Sequence, residues 1–138
     1  MPTPADPDAR LFYRVALDRF DDAGVLLADG RTTGAVYLAG YSVECMLKAL
    51  VLATVPAAHR PDVLDEFRGA KAHNFDWLRD LYRMYGGPHP PPEAVRALYE
   101  VNGWGTALRY RAGTIPVRQA RQFLAAARKI MTWADGRL

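Results

Sequence analysis

Cysteine and histidine are scarce in this chain of 138 residues, which contains only one cysteine and three histidines. A single cysteine, Cys45, excludes an intramolecular disulfide and is typical of the reducing cytoplasm, where we expect the protein to be located. The histidines at positions 59, 73 and 89 are scattered and lack metal-ligand spacing. A glycine-rich phosphate loop is missing as well. We therefore expect neither a metal ion nor another cofactor.

No stretch shows the alternation of apolar and polar residues that marks a β-strand, and the sequence has no internal repeat. The first residues also lack the basic region and apolar run of a secretory signal. Half of the residues are hydrophobic and 24% are charged, as in a globular protein. We expect a flexible N-terminus over 1–9, a single helical-bundle domain over 10–134 and a tail over 135–138.

One long apolar run, residues 34–52 (GAVYLAGYSVECMLKALVL), dominates the chain. It approaches the length of a membrane span, but Glu44 and Lys48 would each cost a few kcal/mol in lipid. A surface helix is excluded because it would keep a wide polar face. The run therefore predicts the buried central helix of an all-α, antiparallel up-and-down bundle of four to five helices, with no membrane contact.

The polar residues of this run follow a helical spacing. Tyr37, Tyr41, Glu44 and Lys48 are separated by four, three and four positions, which places them in a single stripe. Glu44 can pair with Lys48 one turn further on. Two interpretations of this polar seam remain open: it lines a ligand cleft, or it is a buried ion pair whose tyrosines reach the surface or a partner helix.

Local signals place the other helices. Gly30 is a C-terminal cap for the first helix, and Thr32 or Thr33 can cap the next one, which predicts a short antiparallel hairpin. Asn74 is a good N-cap, and Pro92 is a plausible first helical residue. The predicted helices cover about 8–28, 34–52, 62–67, 74–85, 92–101 and 116–133, whereas the register of 104–113 cannot be read.

Charge is distributed unevenly along the chain. Residues 1–100 hold eleven Lys/Arg and fourteen Asp/Glu, whereas residues 101–138 hold seven Lys/Arg and only Asp135, a net charge of +6. This predicts a basic patch that binds phosphates, or one that docks on the acidic part of the same fold or of a partner subunit. Trp104 and Tyr110 could stack on a base or fill the core. The candidate phosphate-binding residues are Arg109, Tyr110, Arg111 and Arg118.

Residues 34–49, GAVYLAGYSVECMLKA, resemble the second-helix signature of the HEPN family, which reads small-x-Tyr-x-x-Gly-Tyr-x-x-Glu-x-x-Leu-Lys. Three further segments agree with the family: DDAGVLL at 21–27, HNFDWL at 73–78 and WGTALRYR at 104–111. The resemblance extends over about residues 10–134. It implies a helical bundle that commonly forms a homodimer and often has a minimal nucleotidyltransferase as its partner in a toxin–antitoxin pair.

The catalytic branch of the HEPN family is a metal-independent ribonuclease marked by Arg, four to six residues and His, late in the chain. This sequence departs from that pattern, because no histidine follows Arg109 or Arg111. Two pairs have the right spacing but lie earlier: Arg68 with His73, and Arg83 with His89. The first of them is the better candidate for a displaced catalytic pair.

Binding chemistry is therefore clearer in this sequence than catalytic chemistry. Arginine binds phosphate, but its guanidinium stays protonated and cannot shuttle the protons that ribonuclease action needs. We expect a non-catalytic HEPN-like domain that binds RNA or a nucleotide, or that acts as the partner of a nucleotidyltransferase. The alternatives are an active ribonuclease that uses Arg68 and His73, and a structural dimerisation module.

Overall fold

The computed structural model describes residues 3–138, with the exception of the Arg109 side chain. This part of the chain is all-α and contains no strand, so the predicted fold class is confirmed. It has six helices rather than four to five, because the short α3 is a separate element. They are α1 (Pro7–Ala28), α2 (Thr32–Thr54), α3 (Arg60–Glu66), α4 (Phe75–Met84), α5 (Pro92–Val101) and α6 (Val117–Asp135).

The first and last helices extend slightly beyond the predicted bounds of the helical domain. The Asp6 side chain accepts a hydrogen bond from the Ala9 backbone N–H at 2.9 Å, and Pro7 is the first residue of α1. The helix therefore begins inside the segment predicted to be flexible. At the other end, Asp135 is buried in α6 rather than part of a tail. Burial, together with a hydrogen bond to Asp135, raises the pKa of Tyr13 on α1.

A glycine ends α1, as the sequence predicts. Gly30 has a φ of +76°, a left-handed conformation that a side chain would strain. Its N–H donates to the Leu27 carbonyl at 3.1 Å, and the Arg31 N–H donates to the Leu26 carbonyl at 2.8 Å. These two bonds form a Schellman motif, which satisfies the last carbonyl groups of α1 and turns the chain back along α2.

The prediction that Thr32 or Thr33 caps α2 is wrong. The N-cap residue is Arg31, and its side chain makes no capping bond. Instead, the Thr32 hydroxyl donates to the Ile115 carbonyl at 2.6 Å, and the Thr33 hydroxyl donates to the Gly113 carbonyl at 2.9 Å. The two threonines therefore attach the loop that precedes α6 to the beginning of α2.

Helix α2 lies at the centre of the bundle, where it contacts α1, α4 and α6. Among the described residues, it is the one helix long and apolar enough to cross a membrane, and 83% of its most apolar window is buried inside the fold. The ammonium group of Lys48, near its C-terminal end, lies 5.6 Å from the centre of the Phe12 ring near the beginning of α1. Since only three residues join the helices, this contact shows that they run antiparallel.

Trp104 packs directly on the backbone of α2 at Gly40. A Cβ atom added to Gly40 would lie 2.0 Å from two atoms of the indole ring, so only glycine allows this contact. Trp104 is 8% exposed, and its ring stacks on Phe75 at 5.4 Å between centroids. The interpretation of Trp104 as a base-stacking residue is therefore wrong, and it fills the core instead.

We predict opposite effects of alanine at two helical glycines. Gly40→Ala should lower the free energy of unfolding by about 1–3 kcal/mol, because the new methyl group displaces Trp104. Gly24→Ala on α1 should raise it by about 0.5–1 kcal/mol, because nothing lies within 4 Å of the added Cβ and alanine favours the helix. Urea denaturation followed by circular dichroism measures both. Equal changes in the two variants would contradict the packing described for Gly40.

Candidate functional site

The polar seam of α2 begins with two tyrosines in the N-terminal half of the helix. The hydroxyl groups of Tyr37 and Tyr41 are 3.4 Å apart, and their rings meet edge to face with centroids 5.0 Å apart. Both side chains are half-buried. The Tyr41 ring also meets the Trp104 ring at 5.1 Å and the His73 ring at 6.4 Å. Tyr41 therefore connects the core around Trp104 to the ionisable groups further along α2.

Glu44 is the buried centre of this seam, with only 3% of its surface exposed. Each carboxylate oxygen has its own partner: Lys48 Nζ donates to Oε2 at 2.8 Å, and His73 Nδ1 lies 2.7 Å from Oε1. The His73 side chain is 41% exposed. A chain of polar contacts therefore runs from the buried ion pair to the surface. We call Tyr41, Glu44, Lys48 and His73 the Glu44 site.

Aromatic rings cover the positive end of the ion pair. Lys48 Nζ lies 5.6 Å from the centroid of the Phe12 ring and 5.5 Å from that of Phe67. The negative faces of these rings attract an ammonium group, most strongly where water is excluded. The two rings and the Glu44 carboxylate thus replace much of the hydration that Lys48 loses on burial.

A helix cap positions His73 beside α2. His73 ends a short 3₁₀ turn over 70–73, and the following Asn74 begins α4. The Asn74 side chain accepts a hydrogen bond from the Trp77 backbone N–H at 3.0 Å, which is the predicted N-cap. If Nδ1–H donates to Glu44, the outward Nε2 atom carries the lone pair and can accept a proton.

Among the described residues, no hydrogen bond joins the two members of either predicted Arg–His pair. The Arg68 side chain is 86% exposed and pairs with Asp65 at 3.9 Å, whereas His73 contacts Glu44. His89 lies 2.8 Å from the Pro90 carbonyl oxygen, and Arg83 is exposed on α4. Sequence reasoning missed the pairing of Glu44 with His73. Glu44 and His73 are 29 positions apart on different elements, so no spacing pattern in the sequence predicts their contact.

Three of the four predicted phosphate-binding residues, Tyr110, Arg111 and Arg118, lie in a part of the chain that we call the basic segment (residues 110–129). Tyr110 is 80% exposed, and no ion pair joins any cation of the segment to a carboxylate in the described structure. The predicted Arg109 side chain lies outside the described residues. The exposed cations are Arg111, Arg118, Arg121, Arg128 and Lys129.

The remaining reactive groups add no chemistry to the site. Burial, together with the nearby Glu44 charge, raises the pKa of the Cys45 thiol to about 11. The thiol is therefore protonated at neutral pH and is a poor nucleophile. Within residues 3–138, no three His, Cys, Asp or Glu side chains come together in a way that could hold a metal ion.

The fold and the site together define an all-α bundle whose central helix carries a buried acid–base pair. The family model for the HEPN domain matches residues 9–137, and the chain belongs to the HEPN family. No curated protein and no solved structure gives a significant match to the chain. The resemblance to the HEPN family, which the sequence showed most clearly in the second helix, is therefore confirmed, and the family match covers nearly the whole sequence.

The ion pair generates a prediction for stability. Glu44→Gln leaves the buried Lys48 ammonium without its counter-charge and should lower the free energy of unfolding by about 3 kcal/mol. Adding Lys48→Met should restore a substantial part of this loss, because it removes the unpaired charge as well. Urea denaturation of the two single variants and the double variant gives the coupling energy.

The matched control for this cycle is an exposed pair. Arg19 donates to Asp22 at 3.0 Å, with side chains 42% and 53% exposed. Arg19→Ala should therefore change the free energy of unfolding by less than about 1 kcal/mol. A loss in Glu44→Gln no larger than that in Arg19→Ala would disprove the stabilising role of the buried pair.

Proposed function

We propose that this HEPN domain binds single-stranded RNA through its basic segment, without cleaving it. The observation that carries the proposal is the set of exposed cations on residues 110–129, none of which forms an ion pair with a carboxylate in the described part of the chain. Cations that form no ion pair with a carboxylate can neutralise phosphate groups and release the counterions condensed on RNA.

An aromatic side chain beside these cations favours a single strand over a duplex. Tyr110 is 80% exposed and precedes Arg111 directly in the chain. Unpaired bases stack on exposed aromatic rings, whereas the bases of a duplex are hidden from them. Tyrosine and arginine side by side thus provide a stacking surface and a phosphate ligand within one nucleotide step.

The charge of the rest of the chain supports the same orientation of RNA. Residues 1–100 carry a net charge of −3 and residues 101–138 a net charge of +6, from the counts of charged residues. The acidic part repels a polyanion, while the basic segment attracts it. Approach of RNA to the basic segment is therefore favoured over approach to the acidic residues of the first part of the chain.

RNA binding should depend on individual cations of the basic segment. Arg111→Ala and Arg118→Ala should each weaken binding of a fluorescein-labelled oligouridylate. Each should also reduce the slope of log K against log salt concentration by about 0.7, as expected for one lost phosphate contact with a single strand. Tyr110→Ala should weaken binding about tenfold with little change in the salt slope, because it removes stacking. Fluorescence anisotropy at several salt concentrations measures both quantities.

Arg14→Ala is the matched control, since Arg14 is an exposed arginine on α1 and its loss changes the net charge equally. Its affinity and salt slope should equal those of the wild type. If all three arginine variants behave alike, binding depends only on net charge and the basic segment is not the site. Absence of any binding by the wild type would leave the alternative of a structural dimerisation module.

Specific geometry favours a second candidate, a metal-independent ribonuclease that acts through His73. A buried carboxylate that forms a hydrogen bond with one nitrogen of an exposed imidazole fixes the ring and leaves the other nitrogen available for acid–base catalysis. Glu44 and His73 have this relation, with 2.7 Å between Oε1 and Nδ1. Arg68, five residues before His73, would supply the positive charge for the developing phosphate charge.

Cleavage of a labelled RNA in the presence of EDTA tests this second candidate. His73→Gln keeps a polar side chain with a hydrogen-bond donor but cannot transfer protons. Any cleavage by the wild type should therefore fall about 10²-fold or more in this variant. His89→Gln is the control and should cleave normally. Intact RNA after incubation with the wild type, or unchanged cleavage by His73→Gln, would eliminate His73 as the acid–base group.

Two partners that the HEPN resemblance implies remain predictions. They are a minimal nucleotidyltransferase and a second copy of this chain. A nucleotidyltransferase that recognised the basic segment through acidic residues would compete with RNA for the same cations. The same protein could therefore bind RNA or such a partner, but it could not bind both at the same time.

A further inference from the structure

A groove with a volume of about 500 Å³ lies between α2, α5 and α6. Its apolar lining includes Val36 and Ile115, both buried, and the half-buried ring of Phe123. This volume lies within the range of sites that bind small molecules, about 300–1,000 Å³. The groove therefore has room for one flat aromatic group.

The polar lining of the groove offers hydrogen-bond donors and acceptors together. The amides of Gln119 and Gln122 provide both kinds of group, the Glu100 carboxylate provides acceptors only, and the Lys129 ammonium provides donors only. All four side chains are exposed and accessible to a ligand. An alkyl chain carries no group that can pair with these side chains, whereas a nucleobase with its phosphate carries both donors and acceptors.

The groove adjoins the basic segment. Gln119, Gln122 and Lys129 of α6 line the groove and belong to the basic segment, and Arg118, Arg121 and Arg128 each precede one of them in the chain. Ile115 of the groove lies between Arg111 and Arg118 in the chain. Since Lys129 is both a cation of this segment and part of the groove lining, a strand of RNA bound by Lys129 would have the groove at the same nucleotide.

We propose that the α5–α6 groove receives a guanine base of the bound RNA, a proposal that rests on the RNA binding proposed above. The Watson–Crick edge of guanine presents two neighbouring N–H donors, which one carboxylate such as Glu100 accepts together. Uracil presents two carbonyl oxygens and one N–H to the same carboxylate and is disfavoured. Phe123 provides an apolar wall for the ring, and Lys129 binds the phosphate of the same nucleotide.

The test compares two labelled RNA strands of about 12 nucleotides, a length within the site size of single-strand binding proteins. One is an oligouridylate, and the other differs from it by a single central guanosine. The wild type should bind the guanosine strand about tenfold more tightly, as expected for one paired base edge. Glu100→Gln removes the double acceptor, so this preference should disappear, while binding of the oligouridylate remains.

Matched controls separate recognition from general charge effects. Glu93→Gln removes the same charge from an exposed position on the same helix and should keep the preference for guanosine. Lys129→Ala should weaken the guanosine strand about threefold more than Lys71→Ala, which removes an exposed lysine outside the groove. All four residues are exposed, so the variants should fold normally, and circular dichroism checks this.

Free nucleotides distinguish the two sources of such a base. Guanosine 5′-monophosphate that displaces the guanosine strand from the wild type, but not from Glu100→Gln, supports a groove that also accepts free nucleotides. If the free nucleotide fails to compete while Glu100→Gln still loses the preference, the groove accepts the base only as part of RNA. Both results support the base pocket, and uridine 5′-monophosphate should not compete in either case.

Equal affinity of the wild type for both strands would overturn this inference, and so would an unchanged preference in Glu100→Gln. Neither result affects the proposed function as long as the oligouridylate still binds with a salt slope that depends on Arg111. Conversely, a wild type that binds neither strand overturns the proposed function together with the groove. Sedimentation that finds a dimer dissociated by Gln122→Ala would overturn the inference too, because a second copy would then fill the groove.

Discussion

Burial of one carboxylate determines how the central part of this protein is arranged. An ionised carboxylate inside a bundle is unfavourable unless other groups replace its water, and Glu44 obtains such groups from two parts of the chain. Lys48 lies one turn along the same helix, and His73 comes from the turn before α4. The rings around Lys48 come from α1 and from Phe67, just after α3. Four segments of the chain therefore meet around a single ion pair: α1, α2, the residues just after α3 and the turn before α4.

A steric constraint acts beside this electrostatic one and determines where the basic segment lies. Gly40 lets Trp104 reach the backbone of α2, and the hydroxyls of Thr32 and Thr33 bind the carbonyls of the loop before α6. These contacts attach the chain on both sides of Tyr110 to one helix. The backbone that carries these cations is therefore held beside a rigid helix. This restraint lowers the conformational entropy that is lost when a ligand orders their side chains.

Signals confined to a few neighbouring residues predicted much of the fold. Gly30 ends α1, Asn74 caps α4 and Pro92 begins α5, because each effect depends on the residue's own backbone or on a bond to the next turn. The burial of α2 was likewise predicted from the length and apolar composition of its own sequence. Thr32 failed as a predicted cap because it is the first helical residue, after the N-cap Arg31, and its hydroxyl donates to a carbonyl 83 residues away. The contact between Glu44 and His73 was missed for the same reason, since it depends on how separate elements pack.

The Glu44 site and the basic segment are suited to different chemistry, and this difference is the reason that we propose binding rather than catalysis. Catalysis on a phosphate ester needs fixed positive charge around the reacting group, because the gain comes from groups that do not have to reorganise. His73 is fixed by Glu44, but the nearest arginine in the chain, Arg68, is 86% exposed and paired with Asp65. Binding of a flexible polyanion has no such requirement, because many weak contacts from exposed side chains add together. The basic segment, with its exposed and unneutralised cations, meets the requirement for binding a polyanion. It does so more fully than the Glu44 site meets the requirement for catalysis.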